Sequence, residues 1–156
     1  MMAADFEALF GADLRLLGNL SYAEQRERGS DLFVAIRPAT SRIDLQRLAG
    51  VENLQQALLL RFLTQVGELA HLGHPAYGSR LHELVGELNT ETTRNRAKLF
   101  ALQALQAEPR IAQVRSIVVV TDRSQPTVIE IRAAVVTIDD PSPVNLVFGV
   151  DLAGAA

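Results

Sequence analysis

The stretch from Leu60 to Arg110 decides the fold of this chain. It begins LRFLTQVGE at residues 60–68, contains HPAYGS at residues 74–79 and ends AEPR at residues 107–110. Glycine and proline in its middle part are typical of a turn, and apolar residues recur at helical spacing on both sides. We therefore expect a tight turn and two helices within the stretch, with the apolar residues before and after it packed on them.

Composition is typical of one compact domain with its own core. Of the 156 residues, 48% are hydrophobic and 21% are charged. The formal net charge of −3 argues against general nucleic-acid binding, because phosphate neutralisation needs a basic face. The absence of cysteine excludes disulfides and thiolate metal ligands. Without a secretory signal pattern or an apolar run of roughly 20 residues, we expect a soluble protein made in the cytoplasm and not inserted in a membrane.

Helical periodicity predicts a central helix and two further helices. The central helix is predicted to begin at Asn53, whose side chain can accept from the first free amides, and to end at Gly67. Its apolar stripe predicts a largely buried position and comprises Leu54, Leu58, Phe62 and Val66. A short helix is expected after Ser79, and the residues predicted on its buried face are Leu81, Leu84, Val85 and Leu88. The last helix is expected to begin at residues 89–90 and to stop before Pro109, since the residue before a proline avoids helical backbone angles.

Alternation with a period of two predicts three strands after the helices. The residues predicted to share a face are Val114, Ser116, Val118 and Val120 in the first strand, Ile129, Ile131, Ala133 and Val135 in the second, and Val144, Leu146, Phe148 and Val150 in the third. The links between them are short and contain proline, which favours antiparallel pairing. The expected fold class is α+β, with a helical layer packed on a three-stranded antiparallel meander.

Two features of the sequence suit contact with a partner. The sheet has two edges and a second, partly apolar face that carries Val136, Ile138 and Val147, which suits strand addition by another chain. Residues 1–42 form an apolar arm, and residues 43–156 form the compact domain. The arm either docks on another subunit or packs on its own domain and covers the sheet, and the sequence leaves both possibilities open.

The titratable residues do not form a recognisable active site. Metal binding is disfavoured because a zinc site needs fixed tetrahedral ligands, and the histidines that invite one are His71, His74 and His82. A carboxylate pair for glycoside hydrolysis could in principle come from Glu68, Glu83, Glu87 and Glu108. Glu83 and Glu87 lie one helical turn apart on a face that we predict to be solvated. We therefore assign no catalytic residue, no cofactor and no metal ligand.

The tripeptide Glu108-Pro109-Arg110 follows the last predicted helix and precedes the first predicted strand. Proline restricts the backbone there, and arginine offers a planar fork of five donors to a partner carboxylate or carbonyl. The alternative is an internal cap in which Arg110 pairs with Glu108 or Glu68. Residue chemistry alone favours the internal cap.

The central stretch resembles the small baseplate wedge proteins of contractile phage tails and related injection systems, the GPW/gp25-like family. The similarity covers about residues 42–152 and includes the final strand from residue 143. It depends on an ordered set of residues rather than on any one tripeptide. The matching positions are residues 53–61, Leu63, Thr64, Gly67, Glu68, residues 74–79, Leu81 and residues 108–110.

This resemblance implies a structural, non-enzymatic protein, present in about six copies around a tail tube within an assembled contractile particle. In that family the Glu-Pro-Arg corner contacts the core bundle formed by other wedge subunits, which assigns this role to Glu108, Pro109 and Arg110. The sheet resembles the interlocking domain of sheath subunits, and the residues assigned to the sheath-facing strands are Val136, Ile138, Val147 and Phe148. The motif residues expected to shape the domain are Thr64, Gly67, Glu68, His74, Pro75, Tyr77 and Gly78.

Two other functions stay open at this point. Some members of the family were described as lysozymes, so a small hydrolase that cleaves peptidoglycan is the alternative from a different class. A plain adaptor domain unrelated to tails is the third. The resemblance implies no cofactor and no nucleic-acid partner for the baseplate role.

Overall fold

The computed structural model describes residues 10–24, 32–121, 123–138 and 140–154. Within these ranges the helices are α1 (Gly50–Leu63) and α2 (Glu91–Gln106), with short 3-10 helices at Ala70–Leu72 and Leu81–Leu84 between them. The strands in chain order are β1 (Ala12–Leu14), β2 (Ala23–Glu24), β3 (Val34–Ile36), β4 (Ile43–Leu45), β5 (Arg47–Ala49), β6 (Ile111–Thr121), β7 (Val128–Thr137) and β8 (Pro143–Asp151). Of the predicted arm, residues 1–9 and 25–31 lie outside the described ranges.

The predicted three-stranded meander is confirmed and forms most of a four-stranded sheet. Strands β6, β7 and β8 pair antiparallel, and β2 adds to the outer edge of β8 in parallel orientation, with Ala23 opposite Phe148. The faces predicted for β7 and β8 are also confirmed, because alternate side chains at 129–135 and at 144–150 are buried. Two helices on one face of this sheet make the fold class α+β, as predicted.

The face predicted for β6 is wrong beyond its first residues. Val114 packs on the core as expected, but Ile117 and Val119 also pack there, whereas Val118 is 51% exposed. A register shift against β7 lies between Val114 and Ser116. One extra residue in a strand moves every later side chain to the opposite face, which explains the error.

Helix α1 lies against β8, and α2 lies against β6 and β7. The buried part of the predicted stripe comprises Leu54, Leu58 and Phe62. The predicted ends of this helix are wrong, because α1 begins at Gly50 and ends at Leu63. Asn53 is therefore inside the helix and buried, and Val66 is exposed in the loop that follows.

The predicted second helix is reduced to the 3-10 turn at Leu81–Leu84. Both of its leucines are fully buried, but Val85 and Leu88, which we expected on the same buried face, are exposed. Gly86 has a φ of 91°, a left-handed conformation that cannot continue a helix. Val85 already has extended backbone angles, so the chain leaves the helical path directly after Leu84.

Helix α2 begins where the sequence predicts. The hydroxyl of Thr90 accepts from the amide of Thr93 at 3.2 Å, which caps the first turn, and the helix ends at Gln106, before Pro109. Within the ranges that the structure describes, neither helix has the length and apolar character required to cross a membrane.

The described part of the predicted arm packs on its own chain through short strand pairs. Strand β1 pairs antiparallel with β5, and β3 pairs antiparallel with β4. Three side chains of this region, Phe10, Leu17 and Ala23, are buried in the core. The pairing of β2 with β8 also covers part of one sheet edge.

Candidate functional site

The corner between α2 and β6 (residues 108–110, hereafter the corner) is a tight bend. The amide of Glu108 donates to the carbonyl of Leu105 at 3.2 Å, and the amide of Ile138 donates to the carbonyl of Arg110 at 3.1 Å. The first bond ties the corner to the end of α2, and the second ties it to the end of β7. Glu108 is buried, Pro109 is exposed and Arg110 is partly buried.

Glu108 binds two arginines at once. Its Oε1 accepts from Nε of Arg110 at 2.6 Å, and its Oε2 accepts from Nη2 of Arg61 at 3.2 Å. Burial acts to raise the pKa of Glu108, but the hydrogen bonds and charge of Arg110, together with the hydrogen bond from Arg61, lower that pKa below its usual value. Glu108 is therefore an anion between two cations, and this triad carries a net positive charge.

Arg61 is the member of the triad that the sequence analysis did not single out. Its side chain is only 8% exposed, and its guanidinium lies 4.5 Å from the centroid of the Tyr77 ring, a distance typical of a cation–π contact. The hydroxyl of Tyr77 donates to the carbonyl of Ala57 at 3.4 Å, and burial raises the pKa of Tyr77. The sequence signal that could have revealed Arg61 is that it is the single charged residue in the apolar run from residue 58 to residue 62.

The loop at residues 64–79, hereafter the motif loop, folds back against the end of α1. Gly78 has a φ of 114°, and a Cβ at this position would lie 2.7 Å from the carbonyl oxygen of Thr64. Only glycine fits this close approach. The amide of Ser79 donates to the same carbonyl at 2.9 Å, and the hydroxyl of Ser79 donates to the carbonyl of Phe62 at 3.0 Å. The motif loop thereby holds Tyr77 over Arg61.

The other motif residues shape the same loop from its outer side. Thr64 donates through its hydroxyl to the carbonyl of Leu60 at 2.8 Å, and a carboxylate oxygen of Glu68 accepts from the amide of Gln65 at 3.1 Å. Gly67 supplies a turn with a φ of 89°. His74 and Pro75 are exposed at the far end of the loop. The predicted motif residues are thus grouped around α1, but most of them do not touch the corner.

The corner is also bonded to the first described residues of the chain. The carbonyl of Phe10 accepts from Nδ2 of Asn53 at 2.9 Å and from Nη1 of Arg110 at 3.1 Å. Asn53 therefore binds a distant carbonyl instead of capping its own helix. This contact has no local sequence signature, because the two ends of each bond are far apart in the chain.

The residues assigned to the sheath-facing strands do not all share one face. Val136 and Val147 are partly buried on the face away from the helices, and Ile138 on the same side is 60% exposed. Phe148 follows Val147 and therefore points to the opposite face, where its ring lies 5.3 Å from that of Phe62 and is fully buried. Phe148 belongs to the core of its own chain.

The two edges of the sheet differ. Strand β6 is an edge strand of eleven residues, and no other described strand pairs with its outer side. On the opposite edge, β2 covers β8 only at Phe148 and Gly149. A groove of about 390 Å³ lies beside the first part of β8, with Pro143, Asn145 and Val147 on its wall.

Two of the four candidate carboxylates for hydrolysis, Glu83 and Glu87, are held in surface ion pairs. Glu83 accepts from Nε of Arg80 at 2.7 Å, and this hydrogen bond lowers the pKa of Glu83. Glu87 is paired with Arg96. A glycosidase acid needs a raised pKa in order to stay protonated at neutral pH, whereas the pKa of Glu83 is lowered. Among the residues that the structure describes, no group of three or more His, Asp or Glu side chains is placed to hold a metal ion.

Comparisons with known proteins bear on the fold. No protein-family model matches the chain, and a search of curated proteins finds no match. Among solved structures, the chain is similar to a protein of Geobacter sulfurreducens described as a tail lysozyme, with 22% sequence identity and a TM-score of 0.55. The match covers 65% of this chain and 89% of that one. At this level of identity the similarity establishes a shared fold and nothing further.

Proposed function

We propose that this protein is a structural component of the baseplate of a contractile phage tail or injection system. In this role it joins the core bundle of the wedge to the first sheath ring and provides the template on which the sheath assembles. The fold shared with a protein described as a tail lysozyme supports the proposal, as does the ordered set of motif residues. The observation that carries it is the corner, where an exposed proline lies beside an arginine that a buried carboxylate orients.

The chemistry of the corner favours an acidic or carbonyl partner. Arg110 uses Nε to bind Glu108 and Nη1 to bind the Phe10 carbonyl, and its Nη2 makes no hydrogen bond within the described residues. Because the triad with Arg61 retains a net positive charge, a carboxylate or helix-terminal carbonyl of a wedge subunit would complete it. The internal cap and the partner contact are therefore compatible, since Glu108 fixes the fork that the partner binds.

The sheath contact is assigned to the sheet. The open edge of β6 offers unpaired backbone groups along eleven residues, which suits addition of a strand from a sheath subunit. The outer face contributes Val136, Ile138 and Val147, and Phe148 supports them from the core. The protein would be made in the bacterial cytoplasm and then built into the particle in about six copies.

The proposal is tested by affinity capture from cells that make the particle. Tagged wild-type protein should recover both wedge and sheath subunits, whereas Arg110→Ala should lose the wedge subunits and keep its fold, checked by thermal unfolding. Arg80→Ala is the matched control, because Arg80 also pairs with a glutamate through Nε but lies on the exposed surface. If neither wild type nor the control recovers a tail subunit, the baseplate function is wrong.

A peptidoglycan hydrolase is the competing function, favoured by the description of the similar structure. The ion-paired glutamates argue against it, and we expect no clearing of a cell-wall suspension by the purified protein. Glu68→Gln and Glu83→Gln are the variants that decide the question. Clearing by wild type that either variant abolishes would replace the baseplate function with an enzymatic one.

A further inference from the structure

One buried side chain of α1 binds the backbone of the N-terminal segment (residues 10–17) at three points. Gln56 is 1% exposed, and its Oε1 accepts from the amides of Leu16 and Leu17 at 2.8 Å and 3.1 Å. Its Nε2 donates to the carbonyl of Leu14 at 2.8 Å. A buried amide costs free energy unless it is hydrogen-bonded, so these bonds favour a fixed position of the segment against α1.

Asn53 lies three residues earlier on α1 and holds the start of the same segment. It is 8% exposed, and its Nδ2 donates to the carbonyl of Phe10 at 2.9 Å. Residues three apart on a helix are neighbours on one face, so Asn53 and Gln56 both face the segment. The Phe10 side chain is buried in the core, which fixes the other side of this residue. The Phe10 carbonyl is therefore held at a defined place beside the corner.

The Phe10 carbonyl is also the second anchor of Arg110. A carbonyl oxygen has two lone pairs, and this one accepts from Nη1 of Arg110 at 3.1 Å as well as from Asn53. The first anchor is Glu108, whose Oε1 accepts from Nε of Arg110 at 2.6 Å. A bond at Nε alone leaves the planar guanidinium able to rotate about its Nε–Cζ bond, whereas a second bond at Nη1 fixes its plane.

We propose that Asn53 is a positioning residue for the corner, and that the N-terminal segment completes the partner-binding site by fixing the plane of the Arg110 guanidinium. Asn53 acts through the Phe10 carbonyl and does not itself contact the partner. A fork that is fixed before binding loses less conformational entropy when a partner carboxylate binds it. The identity of the partner, a wedge subunit, rests on the proposed function, but the fixed plane of Arg110 is a property of this chain alone.

Rotation of the guanidinium tests the inference without any partner. In the wild-type protein the fixed plane should give separate nitrogen NMR signals for Nη1 and Nη2 of Arg110, assigned by their loss in Arg110→Lys. In Asn53→Ala the Phe10 carbonyl loses one of its anchors, so exchange between the two signals should become faster.

The matched control is Gln56→Ala, which removes three hydrogen bonds from the same segment but none from the Phe10 carbonyl. It should lower the unfolding midpoint more than Asn53→Ala does and yet leave the exchange slow. A merely structural role for Asn53 would instead rank the two variants by their loss of stability.

Affinity for the wedge subunit that the wild-type protein captures connects this rotation with function. Asn53→Ala should weaken binding by roughly three- to tenfold, the range expected for the loss of one neutral hydrogen bond. Lysine in place of Arg110 keeps the charge but has no planar fork to fix. Asn53→Ala should therefore cause no further loss in the Arg110→Lys background, and recovery of sheath subunits should stay unchanged. Asn53→Ser repeats the test if Asn53→Ala is unfolded, because its shorter hydroxyl can bond to the backbone of its own helix.

Three results would overturn this inference. The first is slow exchange of the Arg110 signals in Asn53→Ala and in Asn53→Ser. The second is an equal loss of affinity from Asn53→Ala in the wild-type and Arg110→Lys backgrounds. The third is exchange in Gln56→Ala as fast as in Asn53→Ala, since general loosening of the segment would then explain both. If the wild-type protein binds no wedge subunit, the proposed function fails, and the exchange measurement still decides whether Asn53 positions Arg110.

Discussion

Strand β7 and the β3–β4 hairpin contain the same kinds of apolar residue, but these side chains are buried in β7 and exposed in the hairpin. Ile131 and Val135 of β7 are at most 1% exposed, whereas Ile43 and Val34 of the hairpin are more than half exposed. Both have regular strand pairing, so the pairing does not explain the difference in side-chain exposure. The difference is that α2 lies against β7 and no described element lies against the hairpin. Apolar alternation thus predicts which side chains share a face, and a second packed layer decides whether that face is buried.

A parallel contrast holds for the ion pairs. Arg110 with Glu108 and Arg80 with Glu83 both join Nε to Oε1 at nearly equal distances of 2.6 Å and 2.7 Å. The Glu108 side chain is 6% exposed and also holds Arg61, whereas the Glu83 pair lies on the surface. Although the two ion pairs have nearly equal geometry, the buried pair stabilises the fold more, because solvent screens the surface pair.

The largest expected effect comes from removing the shared acid. Glu108→Ala leaves Arg61 buried without its carboxylate, which should lower the free energy of unfolding by about 3–5 kcal/mol. Urea unfolding measures this loss. The matched Glu83→Ala variant should unfold at the wild-type midpoint. Equal midpoints for all three proteins would show that the buried triad does not stabilise the fold.

The next effect compares two isoleucines in the two regions. Ile131→Ala should cost about 2–5 kcal/mol, because it empties a fully packed position in the core. Ile43→Ala should change the free energy of unfolding by no more than about 0.5 kcal/mol, as expected for an exposed side chain without packing partners. Equilibrium denaturation of both variants provides the comparison. A large loss for Ile43→Ala would mean that the hairpin packs in the core.

The smallest effect is the dependence of stability on pH. The net shift of the Glu108 pKa is downward, since the two arginines outweigh burial, so the folded state favours the carboxylate more than the unfolded state does. This stabilisation is complete above the unfolded pKa of about 4.3 and is lost as the pH falls through the lower folded pKa. Urea unfolding between about pH 3 and pH 7 should show a difference between wild type and Glu108→Gln that shrinks in acid. A difference that grows in acid would reverse the assigned direction of the pKa shift.

The sequence predicted the parts of the fold that have a regular local pattern. The alternation of β7 and β8 and the cap at Thr90 follow from neighbouring residues, and the structure confirms them. The face of β6 failed because the register shift near Ser116 depends on how β7 pairs with it. The start of α1 failed because Asn53 binds a carbonyl more than forty residues away, at Phe10.

The same difference between local patterns and long-range contacts applies to the candidate site. The corner was found from its tripeptide, and the structure places Glu108 and Arg110 together. Arg61 and the Phe10 carbonyl were missed, because their contacts with the corner join distant segments. The exposure of the hairpin was also not predicted, because exposure depends on which other elements pack against it. The local sequence pattern therefore predicts most of the helices and strands, but not the side-chain contacts between residues that are distant in the sequence.

The pairing of β2 with β8 has a consequence for the order in which the chain folds. Ala23 and Phe148 are neighbours in the sheet but come from opposite ends of the chain. At synthesis rates of about 5–20 residues per second, the first segment waits on the order of ten seconds for its strand partner to leave the ribosome. Strand β2 therefore cannot pair until β8 has been made, and a strand supplied by another chain at that moment would compete with β2 for the same backbone groups of β8.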